Sequence, residues 1–203
     1  MKRTITAISL LFSVICLSMC TRGEYLDIKG TIDPSFDGYN VYFRPQPFPN
    51  GDIVDSSRIE KGKFSFKIAA DSMYVGDLVL SFSAGRRVEP VLVAVEPGTL
   101  TVDMGIDSKA SGTPLNDTLA TWKQFIMDNI QGKKYGELMD AQKLFEERTV
   151  ALIKRQQNAL GGYLFFLYSP SFSAESVSEL DSLKIYQYMP DVTKRPAIVR
   201  KKR

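Results

Sequence analysis

The sequence predicts an α+β protein, in which an antiparallel β-sandwich or partly open barrel of about seven strands is followed by a small α-helical array. Two observations support this. Apolar and polar residues alternate between residues 25 and 104, and beyond Ser111 the apolar residues recur at helical spacing. The predicted division is a signal segment over 1–20, a β domain over 21–110, a helical region over 111–190 and a basic tail or truncated linker over 191–203.

The strands are predicted from alternation and from the turn residues between them. In the segment Phe64-Ser65-Phe66-Lys67-Ile68, every second side chain is apolar, as expected for a strand with one buried face. Asp37-Gly38 and Glu96-Pro97-Gly98 are typical turn sequences. The predicted strands span residues 25–32, 39–43, 52–59, 64–68, 77–82, 90–95 and 99–104.

Four helices are predicted after the strands. The first follows a turn in which Thr113 or Asn116 is the expected N-cap, and its apolar positions are Leu115, Leu119, Trp122, Ile126 and Ile130. A second helix is predicted over 135–160, separated by Gly161-Gly162 from a third, very apolar helix over 163–168. Ser173 is the expected cap of a fourth helix, because a hydroxyl there can accept a backbone hydrogen bond.

The composition excludes several kinds of chemistry. The chain has no histidine and only two cysteines, so it cannot assemble a Ser-His-Asp or Cys-His nucleophile or an ordinary zinc site. It also lacks a G-x-x-x-x-G-K-[ST] phosphate loop and a G-x-G-x-x-G turn. Carboxylate-pair catalysis, as in a hydrolase, and carboxylate binding of calcium survive this screen, but the acidic residues are scattered singly and show no recognisable spacing. The sequence therefore favours a protein that is not an enzyme, with no catalytic residue, cofactor or metal site.

The charge distribution argues against nucleic-acid binding. Eight of the 26 basic residues lie at the two ends of the chain, which leaves a mildly acidic body. Nucleic-acid binding usually requires basic residues spread over one folded face. We therefore predict no nucleic-acid partner.

The two cysteines belong to an N-terminal export segment. Lys2 and Arg3 precede an apolar run from Ile5 to Leu17, which has the length of a secretory signal and is too short for an ordinary transmembrane helix. Cys16 lies inside this run, and Cys20 lies where processing is expected.

Leu17-Ser18-Met19-Cys20 resembles the lipobox of bacterial lipoproteins, in which the cysteine is acylated and becomes the first residue. Met19 departs from the small residue usual before that cysteine. The resemblance implies a lipid anchor at Cys20 in the outer or inner membrane of a bacterial envelope, with the protein facing the periplasm or the cell surface. The alternatives are a soluble secreted protein cleaved nearby and, with C-x-x-x-C spacing, a redox pair.

Three residues are weak candidates for contacts with a ligand or partner. Trp122, together with Phe125, Tyr135 and Phe145, could line an apolar groove or could bridge the helices to the sheet. Thr113 and Asn116 could contact a ligand, although their place in a turn before a helix favours a turn and capping role.

The order of motifs resembles a known family. After the lipobox-like start come DIKGTI, DSSRIEKGKFSFK, AVEPGTLTVDM, SGTPLNDTLATW and QNALGGYLFFLYS. This order resembles the N-terminal region of Bacteroidetes envelope lipoproteins with the DUF4369 domain, from about Tyr25 to Pro196. The most specific pieces are Gly62-Lys63-Phe64, Glu96-Pro97-Gly98 and the segment from Ser111 to Asn116.

The resemblance implies two functional hypotheses. In that family the region is often followed by a thioredoxin-like domain, and the final MPDVTKRPAIVRKKR is similar to a linker leading into one. The first hypothesis is a non-catalytic, membrane-anchored module for binding or scaffolding. The alternative is an accessory domain of a thiol-disulfide oxidoreductase, whose thioredoxin-like domain is absent from this chain or supplied by a partner.

Overall fold

The structure is a computed structural model that describes residues 24–46, 55–81, 87–129 and 132–188. Within these ranges, two four-stranded sheets pack face to face and a layer of four α-helices covers one of them. The α+β class and the sandwich are confirmed. The described strands form two separate sheets and do not close into a barrel.

The eight described strands divide equally between the sheets. Sheet A has the order β4-β1-β7-β8 and sheet B the order β3-β2-β5-β6. The bounds are β1 Tyr25–Ile32, β2 Asn40–Pro45, β3 Asp55–Arg58, β4 Lys63–Ala69, β5 Tyr74–Leu80, β6 Val91–Val95, β7 Gly98–Met104 and β8 Lys109–Ser111.

Sheet A is mixed, which corrects the prediction of a wholly antiparallel sandwich. β1 pairs antiparallel with β4 on one side and parallel with β7 on the other. The parallel register begins with Leu26 opposite Gly98 and ends with Ile32 opposite Met104. A parallel pair needs a long crossover connection, and here the chain supplies it by passing through sheet B between β4 and β7.

Most strand bounds agree with the prediction to within one or two residues, and β5 and β8 depart from it most. β5 begins at Tyr74, so Asp77 lies in the middle of a strand and does not start it. β8 was not predicted, because three residues are too few to show alternation. Residues 52–54 and 82 of the predicted strands lie outside the described residues.

The main core lies between the sheets. Alternate residues of β1, β4 and β7 are buried, which confirms the predicted alternation in these strands. The core includes Leu26, Ile28, Phe43, Leu78 and Leu100, each 1% exposed or less. Burying side chains of this size contributes about 1.5 to 3 kcal/mol each, so this core is the main source of stability in the sandwich.

The helices form a second core against the outer face of sheet B. They are α1 Pro114–Asn129, α2 Leu138–Arg155, α3 Ala159–Tyr168 and α4 Ala174–Ser182. Val75 of β5 and Ala94 of β6 pack with Leu119, Ile153 and Leu164 in this core. None of the helices in the described ranges is long and apolar enough to span a bilayer.

The break between α2 and α3 lies earlier than predicted. The helix ends at Arg155 and restarts at Ala159, and Gly161 and Gly162 lie in the first turn of α3. Asn158 explains the restart, because its side-chain oxygen accepts hydrogen bonds from the backbone N–H groups of Leu160 and Gly161. The predicted cap of the fourth helix is confirmed: the Ser173 hydroxyl accepts a hydrogen bond from the Ser176 N–H.

Candidate functional site

The two motifs EPG and SGTPLN meet at the junction between the sandwich and the helical layer. The EPG motif connects β6 to β7, and the SGTPLN motif connects β8 to α1. Gly98 packs against the Thr113 side chain, where an added Cβ would lie 2.9 Å from Thr113 Cγ2. Gly112 has a φ of +122°, and a Cβ there would lie 2.6 Å from the Thr99 carbonyl oxygen. Only glycine fits Gly112 without strain, so the close approach of these two connections depends on it.

Asn116 is the centre of this junction. Its Oδ1 accepts a hydrogen bond from the Ala94 N–H at 3.0 Å, and its Nδ2 donates to the Ala94 carbonyl at 2.9 Å. Nδ2 also donates to the Thr113 hydroxyl at 2.7 Å. Asn116 is 1% exposed and Thr113 is 2% exposed, so these bonds lie away from water.

The Asn116 amide replaces a missing strand neighbour. β6 is an edge strand of sheet B, with β5 on one side only. An edge strand exposes unpaired backbone groups that favour unwanted pairing with other chains. By bonding both backbone groups of Ala94, Asn116 satisfies part of this edge and attaches α1 to it.

The N-terminus of α1 is capped by a residue that the sequence analysis did not identify. Glu96 Oε1 accepts a hydrogen bond from the Leu115 N–H at 2.6 Å. Neither predicted cap does this, because the side chains of Thr113 and Asn116 bond to each other. A carboxylate also suits the positive end of the helix dipole. Glu96 follows β6 directly, so only the tertiary fold brings it to the helix.

Trp122 lies about 9 Å further along the axis of α1 than Asn116, so the candidate residues do not form one site. Its ring centroid lies 6.2 Å from Phe145 of α2 and 5.8 Å from Tyr168 of α3. Its Nε1 donates to the buried Thr149 hydroxyl at 3.2 Å. These contacts join three helices to one another, whereas the predicted structural role was to bridge the helices to the sheet.

The apolar groove predicted from Trp122, Phe125, Tyr135 and Phe145 is not formed by those of their side chains that the structure describes. Phe125 instead borders an open depression of about 540 Å³ on the outer side of α1. The Arg148 guanidinium lies 4.8 Å from the centroid of the Phe125 ring. The depression is lined by Ala120, Thr121, Gln124, Phe125, Asp128 and Asn129. The Tyr135 side chain and Cys20 lie outside the described part of the structure.

A partly buried ion pair lies on the face of sheet B that turns toward the helices. Arg44 of β2 contacts both carboxylate oxygens of Asp77 of β5, with Nε–Oδ1 at 3.0 Å and Nη2–Oδ2 at 2.7 Å. Asp77 is 9% exposed. The hydrogen bond to Asp77 raises the pKa of the Arg44 guanidinium above its ordinary value. A single acidic residue within an apolar strand is the sequence signal that could have indicated this pair.

Tyr163 of α3 packs in the same interface and is 7% exposed. Burial raises its pKa from 10.0 to about 12, and the negative charge of Asp77 contributes to the shift. The folded protein therefore holds the phenol proton more tightly than the unfolded chain does. This contribution to stability is complete below pH 10 and is lost as the pH rises from 10 toward about 12.

We expect Tyr163→Phe to lose less stability than the wild type on going from about pH 9 to about pH 11, because the phenylalanine has no proton to release. Urea unfolding at a series of pH values measures this difference. Tyr186→Phe is the matched control, since that side chain is 54% exposed, and it should follow the wild-type curve. If the free energy of unfolding changed with pH in the same way for Tyr163→Phe and the wild type, the Tyr163 phenol would not contribute to the loss of stability at high pH.

The outer face of sheet A is exposed among the described elements. Its side chains all belong to the exposed half of each alternating strand. Lys29 lies at its centre, with Ser65 opposite on β4 and Thr101 opposite on β7. No group of three or more Asp, Glu, His or Cys residues suited to a metal occurs in the described ranges.

Comparison with known proteins identifies the β part of the chain. Residues 26–119 match the family model described as "Domain of unknown function (DUF4369)". The match confirms the resemblance to the DUF4369 domain for these residues, and it runs from β1 into the first turns of α1. It therefore includes the whole junction of the EPG and SGTPLN motifs. No curated protein matches the sequence.

Proposed function

We propose that this chain, whose residues 26–119 form a DUF4369 domain, is a non-catalytic lipoprotein module of the bacterial cell envelope that binds or scaffolds a partner. The lipid anchor is Cys20, and the folded body begins a few residues later at β1. The anchor lies in the outer or inner membrane, with the body facing the periplasm or the cell surface.

The observation that supports binding best is the unequal use of the two sheets. The helical layer covers sheet B and is fastened to it by the buried amide of Asn116. Sheet A keeps an exposed outer face of lysine, serine, threonine and aspartate side chains. A rigid body with one uncovered polar face is suited to presenting that face to a partner.

The anchor has a direct test in living cells. We expect Cys20→Ser to move the protein from the membrane fraction to the soluble periplasmic fraction without a change in melting temperature, because Cys20 precedes the first described strand. Cys16→Ser is the matched control, since it removes a thiol from the predicted signal segment and should leave the protein in the membrane fraction. A Cys20→Ser protein that stays with the membrane would contradict the anchor.

The alternative is the accessory domain of a thiol-disulfide oxidoreductase, which the linker-like MPDVTKRPAIVRKKR favours. Thiol exchange requires a thiolate, and the described residues contain no cysteine. The redox chemistry would therefore come from a thioredoxin-like domain or partner. An intact mass of the native protein distinguishes the two proposals. The mass of residues 20–203 plus lipid supports the first, and a markedly larger polypeptide supports the second.

A further inference from the structure

Four lysines lie on the outer face of sheet A, and we call them the lysine face: Lys29, Lys63, Lys67 and Lys109. Lys29 is on β1, Lys63 and Lys67 are on β4 and Lys109 is on β8, so they span the full width of the sheet. All four side chains are exposed. The strands between them, β1 and β7, add threonine hydroxyls, the Tyr25 ring and two aspartates to this face.

The lysine face has the opposite charge from the rest of the described chain. The described ranges contain 21 Asp and Glu against 16 Lys and Arg, so the body is acidic. The outer face of sheet A instead has four lysines and two aspartates, Asp27 and Asp103. One carboxylate is already bonded, since Asp103 Oδ1 accepts a hydrogen bond from the Thr31 hydroxyl at 2.9 Å.

The lysines have not been neutralised by the protein itself. Within the described ranges the ion pairs involve Arg44, Lys123 and Lys154, and none involves a residue of the lysine face. Lys67 instead lies over the Tyr25 ring, with its Nζ 4.5 Å from the ring centroid. The register places Asp27 opposite Lys67 and Asp103 opposite Lys109, yet in the described ranges no carboxylate lies within ion-pair distance of the four lysines, so their charges can attract an outside partner.

The position of β1 restricts where an anchored body can lie. Five steps of chain separate Cys20 from Tyr25, which is about 18 Å when fully extended. Tyr25 is the first residue of β1, lies on the outer face of sheet A and is 41% exposed. A lipid at Cys20 would hold this edge of the lysine face close to the bilayer.

We propose that the lysine face rests on the headgroups of an anionic lipid membrane and fixes the orientation of the anchored body. This inference rests on the proposed anchor at Cys20. Electrostatic attraction between lysines and anionic lipids acts within about one Debye length, roughly 8 Å at physiological salt. The short tether allows the lysine face to lie within that range. The helical layer, whose helix α4 is acidic with Glu175, Glu179 and Asp181, then lies on the side of the body away from the membrane.

The test is lysine labelling on the lipidated protein purified from its native membrane. The protein is reconstituted into vesicles of phosphatidylcholine alone and into vesicles in which about one third of the lipid is phosphatidylglycerol. An amine-reactive reagent is added, and mass spectrometry follows the labelling rate of each lysine. Lys143 and Lys184 are internal controls, because both are exposed and belong to the helical region.

We expect the lysine face to be labelled about threefold or more slowly on the anionic vesicles, and the two control lysines to be labelled equally on both. Salt of about 1 M, which shortens the Debye length to about 3 Å, should remove the difference. Equal labelling of the lysine face on both vesicles, with the lipid present in the intact mass, would overturn the inference and leave the anchor standing. A mass without lipid would overturn the anchor itself.

A set of variants separates charge from simple crowding by the membrane. In Lys29→Gln/Lys63→Gln/Lys109→Gln, the remaining Lys67 should lose its protection on anionic vesicles. The matched variant Lys143→Gln/Lys184→Gln should keep Lys67 protected. Protection of Lys67 that survives the triple substitution would mean that charge does not orient the body, and would overturn the proposal.

Discussion

Replacing Asn116 by alanine is expected to lower the free energy of unfolding by about 3 to 5 kcal/mol, since it leaves several buried polar groups without partners. The Asn116 side chain supplies both hydrogen bonds of the Ala94 backbone on the outer side of β6 and one to the Thr113 hydroxyl. Each buried group that loses its partner costs about 1 to 3 kcal/mol, and the better helix propensity of alanine offsets only about 0.6 kcal/mol of this.

Urea-induced unfolding followed by far-ultraviolet circular dichroism measures the Asn116→Ala effect. The matched control is Asn129→Ala at the other end of α1, where the amide is partly exposed and donates a hydrogen bond to the Phe125 carbonyl within the same helix. The control should change stability by less than about 1 kcal/mol. If both variants lose the same small amount, the Asn116 amide is not the attachment between the helical layer and sheet B.

Gly161→Ala is expected to destabilise the protein by about 3 kcal/mol or more, although alanine is the better helix former. A Cβ on Gly161 would lie 1.8 Å from the Gln156 carbonyl oxygen and 3.2 Å from that of Ile153. Both oxygens belong to the backbone where α2 ends, so a rotamer change of a side chain cannot relieve the clash. The two helices would have to separate at their tight turn.

Helix propensity alone predicts that Gly161→Ala stabilises the protein, whereas the backbone clash predicts that it destabilises it, so the sign of the stability change distinguishes the two. Gly136→Ala is the matched control, because a Cβ there meets nothing within 4 Å. In the control we expect no loss of stability, or a gain below about 1 kcal/mol. Thermal unfolding of both variants, together with hydrogen exchange of the α3 amides, measures the comparison. A stabilised Gly161→Ala protein would mean that α2 and α3 do not approach this closely.

The sequence predicts those parts of the fold that local pattern determines. Alternation identified β1, β4 and β7, and a hydroxyl before an amphipathic run identified the Ser173 cap. Helical periodicity placed Leu115 and Leu119 on the buried side of α1. In each case the residues that decide the structure are neighbours along the chain.

Several of the errors have a common physical cause, which is that the deciding partner is distant in sequence. Glu96 caps α1 from another connection, and Asp77 can stay within a buried strand because Arg44 pairs with it. The parallel pairing of β1 with β7 joins residues about 72 positions apart, such as Leu26 and Gly98. No local pattern contains this information.

The candidate site was predicted only in part. Thr113 and Asn116 were singled out and do lie together, but the sequence could not show that they bond to each other and to Ala94. Trp122 was singled out as an aromatic residue on a helix, and its partners on two other helices became visible only in the fold. The lysine face was missed because its members come from three strands in an order that the sequence does not reveal.

The central place of β1 in sheet A also has a mechanical consequence. β1 is hydrogen-bonded to β4 and to β7 along nearly its whole length. A pull on the N-terminus along the strand loads both ladders at once, so many bonds must break together before the strand slides. An N-terminal strand at an edge, pulled away sideways, would open one bond after another. A strand held by two ladders is therefore expected to resist such a pull better than an edge strand would.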